Sequence, residues 1–162
     1  MGIDDTDRIH LTRAVELAQA ALEAGDDPFG SVLVSPQGEV LLEDHNHVGG
    51  GDHTQHPELA IARWAAQHLS PPDRAASTVY TSGEHCPMCA AAHGWVGLGR
   101  IVYASSTAQL TAWSAELGRE PAPVAPLPIQ EVVPGAVVDG PDPELAEQVR
   151  ALHARSAGGG PR

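Results

Sequence analysis

Between Thr6 and Leu22 the apolar positions are Ile9, Leu11, Ala14, Val15, Leu17, Ala18, Ala21 and Leu22. Their spacing predicts one buried face of a helix, with Asp5 or Thr6 as its cap and Gly25 as its stop. The pattern then changes. Gly30-Ser-Val-Leu-Val34 and Val40-Leu-Leu42 are short apolar runs around Pro36-Gln-Gly38, which predicts a hairpin. The glycines between Val48 and Asp52 predict a loop.

Helical spacing returns from Pro57 to Leu69, with Pro57 in the first turn, where a missing N–H costs nothing. Pro71-Pro72-Asp73 is expected to end that helix. Beyond it, Thr78–Thr81 reads as a strand, 87–95 as a helix, 100–104 as a strand and 107–117 as a helix. A connector, PAPVAPLP, leads to a last expected strand at Ile129–Val133 and a closing helix at Pro143–Arg155. Residues 156–162 read as an unstructured tail. Helix, hairpin, then alternating helix and strand predicts an α/β fold: a three-layer α-β-α sandwich whose mixed sheet of about five strands has helices on both faces. A single domain over 1–155 is expected.

Composition narrows the partners. The net charge is −12 and all nine basic residues are arginine. A polyanion calls for a basic stripe, and none is visible, so a neutral or weakly charged small molecule is the expected partner rather than nucleic acid. No apolar run approaches the ~18 residues of a membrane span, and the N-terminal MGIDDTDRIH is too acidic for a targeting signal. A cytoplasmic location is expected. The short match of Gly2 and Thr6 to a myristoylation pattern has no second lipid signal beside it.

Only two cysteines are present, Cys86 and Cys89, and a lone CxxC in such a chain points to metal binding or redox chemistry. A catalytic zinc takes three protein ligands and leaves one position open. His56, Cys86 and Cys89 supply that count, from two expected helix starts whose backbone N–H groups favour negative charge. Glu58, two residues past His56, could flank the same cleft and move a proton.

These residues occur as Asp52-His-Thr-Gln-His-Pro-Glu58 and Thr81-Ser-Gly-Glu-His-Cys-Pro-Met-Cys89, preceded by Pro28-Phe-Gly-Ser31 and His45-Asn46. Their order resembles the cytidine and deoxycytidylate deaminase superfamily over roughly residues 8–117, where H-x-E is followed by P-C-x-x-C. The likeness is to guanine and cytosine deaminases and to tRNA adenosine deaminases. It implies a zinc-dependent hydrolytic deaminase of a nucleobase, nucleoside or related amino-heterocycle, with Zn2+ on His56, Cys86 and Cys89. Glu58 becomes the proton shuttle and the Cys86 backbone N–H a donor to the reacting centre. Asn46, Phe29 and Trp95 fall on substrate-contacting positions, and a homodimer is expected.

His85 stands where the family usually has proline. The segment Ser105-Ser-Thr-Ala-Gln109 lacks the acidic residue that guanine deaminases direct at the purine. Two alternatives remain: a tRNA adenosine deaminase, or a redox or non-catalytic CxxC module. Glu84 reads either as a brace for the cysteine loop or as a solvated residue. His45, His47 and His53 read as surface or supporting groups. Trp113, Glu116 and Glu120 read as solvated positions, with a lid as the alternative.

Overall fold

The computed structural model describes residues 2–158. Helix α1 (Asp5–Glu23) leads into strands β1 (Gly30–Val34) and β2 (Val40–His45), and a 3-10 turn at Val48–Gly50 follows. Next come α2 (Pro57–His68), α3 (Pro71–Ala76), β3 (Thr78–Gly83), α4 (Pro87–Val96), β4 (Ile101–Ser105) and α5 (Thr107–Glu116). The chain closes with α6 (Ile129–Val132), β5 (Val138–Asp139) and α7 (Pro143–Gly158). The sheet order is β2-β1-β3-β4-β5. Strand β1 pairs antiparallel with both β2 and β3, while β3–β4 and β4–β5 are parallel.

Every residue of β1 is buried, because its alternate side chains enter different layers. Val32 and Val34 pack with Leu11, Ala14, Val15 and Ala18 of α1 and with Leu145 and Val149 of α7. Leu33 packs on the other face with Ile61, Ala62 and Ala65 of α2. This two-sided burial makes the three layers. Gly30 is required where α1 crosses β1, since a Cβ there would lie 2.4 Å from the Ala14 carbonyl oxygen.

Several expected boundaries move. Asp4 caps α1, rather than Asp5 or Thr6, in a reciprocal pair: Asp7 N–H donates to Asp4 (2.8 Å) and Asp4 N–H donates to Asp7 (3.1 Å). Gly25 follows the helix with φ +90°, the left-handed geometry expected of a stop. Pro71-Pro72-Asp73 ends α2 but also opens α3, whose Asp73 N–H donates to Ser70. The expected strand at Ile129–Val133 is instead α6, one helical turn; its apolar run buries Ile129 against Ala90 and Ile101. The fifth strand is β5, too short to leave a hydrophobic signature. Helix α7 continues through Ser156, Ala157 and Gly158, which had read as tail, and residues 159–162 lie outside the described residues. No described helix is long and apolar enough to cross a membrane.

One buried polar cluster ties α1 to the sheet. Arg100 donates to both oxygens of Asp7 (2.8 and 3.0 Å) and to Asp139 (2.8 Å), while Tyr80 Oη donates to Asp7 (2.8 Å). Burial pushes the Asp7 carboxyl up, but the Arg100 bond, the Asp4 backbone and Tyr80 outweigh it and hold the group at about 2. Because this folded value lies below the ordinary one, the stabilisation is present above about pH 4 and is lost as pH falls toward about 2. Asp7→Asn removes that pH dependence, and Arg100→Leu costs about 3 kcal/mol by stranding buried carboxylates. Urea unfolding followed across this pH range checks both.

Candidate active site

Helices α2 and α4 each begin with proline at the first helical position. A residue before proline is driven to extended backbone, so His56 (φ −94°, ψ 140°) and Cys86 (φ −68°, ψ 166°) become the N-caps. The two helices lie together on one face of the sheet, where Ala62 and Ala65 of α2 pack in one cluster with Ala92 and Val96 of α4. Their N-termini therefore meet. His56 Nδ1 lies 3.5 Å from Cys86 Sγ and 3.5 Å from Cys89 Sγ. Tetrahedral zinc with ordinary Zn–N and Zn–S bonds separates such atoms by roughly 3.6 Å. The three donors fit that ion without rearrangement.

The charges agree. A hydrogen bond from the Cys89 thiol pushes Cys86 down to about 4 against the effect of burial, with His56 assisting. Cys89 is raised by that same bond and by burial, and His56 is raised by its bond to Cys86. Without metal the group thus favours a thiolate on Cys86 and a thiol on Cys89, whose proton a divalent cation would displace.

Glu58 sits on the first turn of α2, 6% exposed. Burial raises its carboxyl to about 7, and the neighbouring His56 works against that rise. Its Oε1 accepts from Ser31 Oγ (3.1 Å), and Ser31 Oγ lies 2.9 Å from Thr81 Oγ1. Ser31 and Thr81 are cross-strand partners, and their alternation with Val32 and Tyr80 turns both toward α2. Sequence reasoning missed this pair; the only signal was a serine within an otherwise buried GSVLV strand.

Asn46 is buried, with its N–H on the Phe29 carbonyl and its Oδ1 accepting from Val48 N–H (2.9 Å). The oxygen is thus held in a turn, which leaves the side-chain N–H groups to donate elsewhere. Phe29 lies across the end of β3, close enough that a Cβ on Gly83 would be 3.3 Å from its ring. Behind it stands His153 of α7, ring centroids 5.1 Å apart, held neutral by burial and Arg119, which lower its pKa to about 4. His153 lay where no motif pointed. Trp95 is not brought to this group: it is 90% exposed, because it follows His93 by roughly 200° around α4 while His93 faces inward.

His85 belongs to no described cluster of potential metal ligands. Its ring is buried edge-on to His93 (5.4 Å), neither nitrogen has a hydrogen-bond partner, and burial holds it neutral. Glu84 is a brace, though of helix starts: its two oxygens accept the N–H groups of Thr107 and Ile129, both at 2.8 Å, fixing α5 and α6 beside the cysteine turn. Trp113 is not solvated: it is buried near His153, because α5 packs against α7. Glu116 is exposed and pairs with Arg150, and Glu120 and His53 are also exposed.

The three donors predict one equivalent of zinc at this site, retained through dialysis and lost from the site in His56→Ala. With cobalt in its place, a thiolate-to-metal charge-transfer band appears in the wild type and disappears in Cys86→Ser. Elemental analysis and absorption spectroscopy check this.

Residues 4–105 match the family model for the cytidine and deoxycytidylate deaminase zinc-binding region. The chain is 30% identical over 119 residues to a probable cytosine deaminase of Schizosaccharomyces pombe, spanning 74% of this chain and 72% of that one. It is 37% identical over 97 residues to the guanine deaminase of Bacillus subtilis, covering 59% of this chain and 62% of that one. Its relatives also include tRNA-specific adenosine deaminases. A solved structure of a protein in complex with 8-azaguanine superposes with a TM-score of 0.72 at 20% identity, covering 99% of this chain and 88% of that one, which shows the common fold. With the family model spanning most of the chain and the His56-Cys86-Cys89 cluster in place beside Glu58, the protein belongs to the zinc-binding cytidine and deoxycytidylate deaminase family.

Proposed function

We propose that the protein is a hydrolytic deaminase of a small amino-heterocycle, a free nucleobase or nucleoside, exchanging the exocyclic amine for oxygen and releasing ammonia. The observation that carries this is a buried carboxyl, raised to about 7, on the same first turn as a metal ligand. Zinc held by His56, Cys86 and Cys89 would supply the electrophilic charge that makes water nucleophilic near neutral pH.

The remaining work falls to the chain. Glu58 has one oxygen engaged by Ser31 and the Cys89 thiol as a further hydrogen-bond neighbour, a carboxyl placed to accept a proton from the attacking water. A carboxyl near 7 can then return that proton to the leaving amine while the other water proton ends on the ring nitrogen, so the carbon becomes a carbonyl and ammonia departs. The Cys86 backbone N–H, at the α4 N-terminus, is suited to steady charge at the reacting carbon. Asn46 offers its amide N–H groups to a ring acceptor, and Phe29 an apolar wall. Closure of that wall by His153 and the −12 net charge favour a small ligand over tRNA.

A panel of cytosine, cytidine, guanine, guanosine, adenosine and tRNA, assayed for ammonia, tests this reading; activity confined to tRNA would refute it. On the substrate so found, Glu58→Gln lowers kcat by about a thousandfold with zinc content unchanged. Ser31→Ala costs about tenfold, on the order of 1.5 kcal/mol, and moves the acidic limb of the pH profile upward, because the lost bond favours the ionised carboxylate.

A further inference from the structure

A second group of metal-capable side chains stands apart from the first: Asp26, His45 and His47 each bring a donor atom within 4.8 Å of the other two. Asp26 lies in the turn before β1, and the histidines sit at the end of β2 on either side of Asn46. Their rings are 4.5 Å apart.

The outer contacts of these residues leave one ring nitrogen of each histidine free for a metal. His45 Nδ1 lies 2.9 Å from the Asn46 carbonyl oxygen, so that nitrogen carries the proton and Nε2 keeps the lone pair. His47 Nε2 lies 3.0 Å from Asp44 Oδ1, which leaves Nδ1 as the free acceptor. Metal-bound histidines generally donate their other N–H to a backbone carbonyl or a carboxylate in this way. Asp44 is held in turn by the His45 N–H at 2.9 Å.

Asp26 supplies the charge. It is only 9% exposed, and its Oδ1 accepts from the Gly49 N–H at 2.8 Å. Among the described residues no side-chain hydrogen bond is made to its other oxygen, which is left to meet a cation. The loop is shaped to approach the carboxylate, since a Cβ on Gly49 would stand 2.7 Å from Asp26 Oδ1.

We infer that Asp26, His45 and His47 form a second metal site, selective for a borderline divalent transition ion such as zinc. Two imidazoles and one carboxylate suit that class, whereas calcium and magnesium prefer oxygen alone. Asp26 and Asp44 together balance the charge of the ion. Tetrahedral geometry draws such donors to roughly 3.4 Å apart, a closure that the exposed His47 can supply. The site lacks a general base like Glu58, so its role is a clamp: it joins the turn before Phe29 to the strand end at Asn46.

Equilibrium dialysis against micromolar zinc, with cobalt spectra in parallel, tests the inference. The wild type is expected to hold two equivalents, falling to one in His47→Ala and in His45→Gln, with the thiolate charge-transfer band intact. The Cys86→Ser, Cys89→Ser double variant is expected to hold one equivalent with no such band, and excess magnesium to displace none of it. Saturation of the wild type at one equivalent overturns the inference, as does a second equivalent that survives His47→Ala. Neither readout uses catalysis, so failure of the deaminase assignment would leave this result standing, and the reverse.

Discussion

The packing of α2 against α4 sets everything else at the site. Each helix begins with proline, so the residue before it is extended and presents its side chain at a helix N-terminus. Side by side on one sheet face, the two starts bring His56 Nδ1 to 3.5 Å from both sulfurs. The helix dipoles point the same way, toward a place where thiolate charge is favoured. A shift of one helix by a fraction of a turn would leave the same residues present and no metal geometry.

The sheet beneath does a second job. Strand β1 is buried on both faces, yet the α2-facing side of the β1–β3 pair carries Ser31 and Thr81 at one cross-strand step. That polar step lies where an apolar residue would otherwise fill the core, and it hydrogen-bonds the buried Glu58 carboxyl beside the metal-capable group. Burial raises Glu58, and the neighbouring His56 and then the Ser31 bond limit the rise, so its value near neutrality reflects opposed effects. Glu84 has a similar economy in the next turn, where one carboxylate accepts the first N–H of both α5 and α6 and so locks the cysteine loop to the C-terminal third.

Much of this was legible in the residues. Periodicity located α1, α2, α4, α5 and α7 and the first four strands, since each carries a strong apolar period or a clear turn boundary. Ile129–Val133 misled because a five-residue apolar run is compatible with either a strand or a turn of helix, and only Ala90 and Ile101 across the gap decide which. Trp95 misled for another reason: likeness to a family assigns a position in the chain, while the helical rotation from His93 assigns the direction. Ser31 and His153 were invisible as partners, and Glu84 was legible as a brace but not the two helix starts it holds, because what each touches lies far away in sequence.

The order of short motifs by itself determined the donor set: two sulfurs, an imidazole and a carboxyl, carried on two helix starts that each have a proline, are local features that need no long-range contact to be read. Tertiary structure decided how those groups behave. Burial tuned Glu58, cross-strand register supplied its serine, and the return of α7 placed His153 behind Phe29. Local spacing can name donors and acids. Desolvation and long-range contact set their charge and their neighbours, and those exist only once the layers are packed.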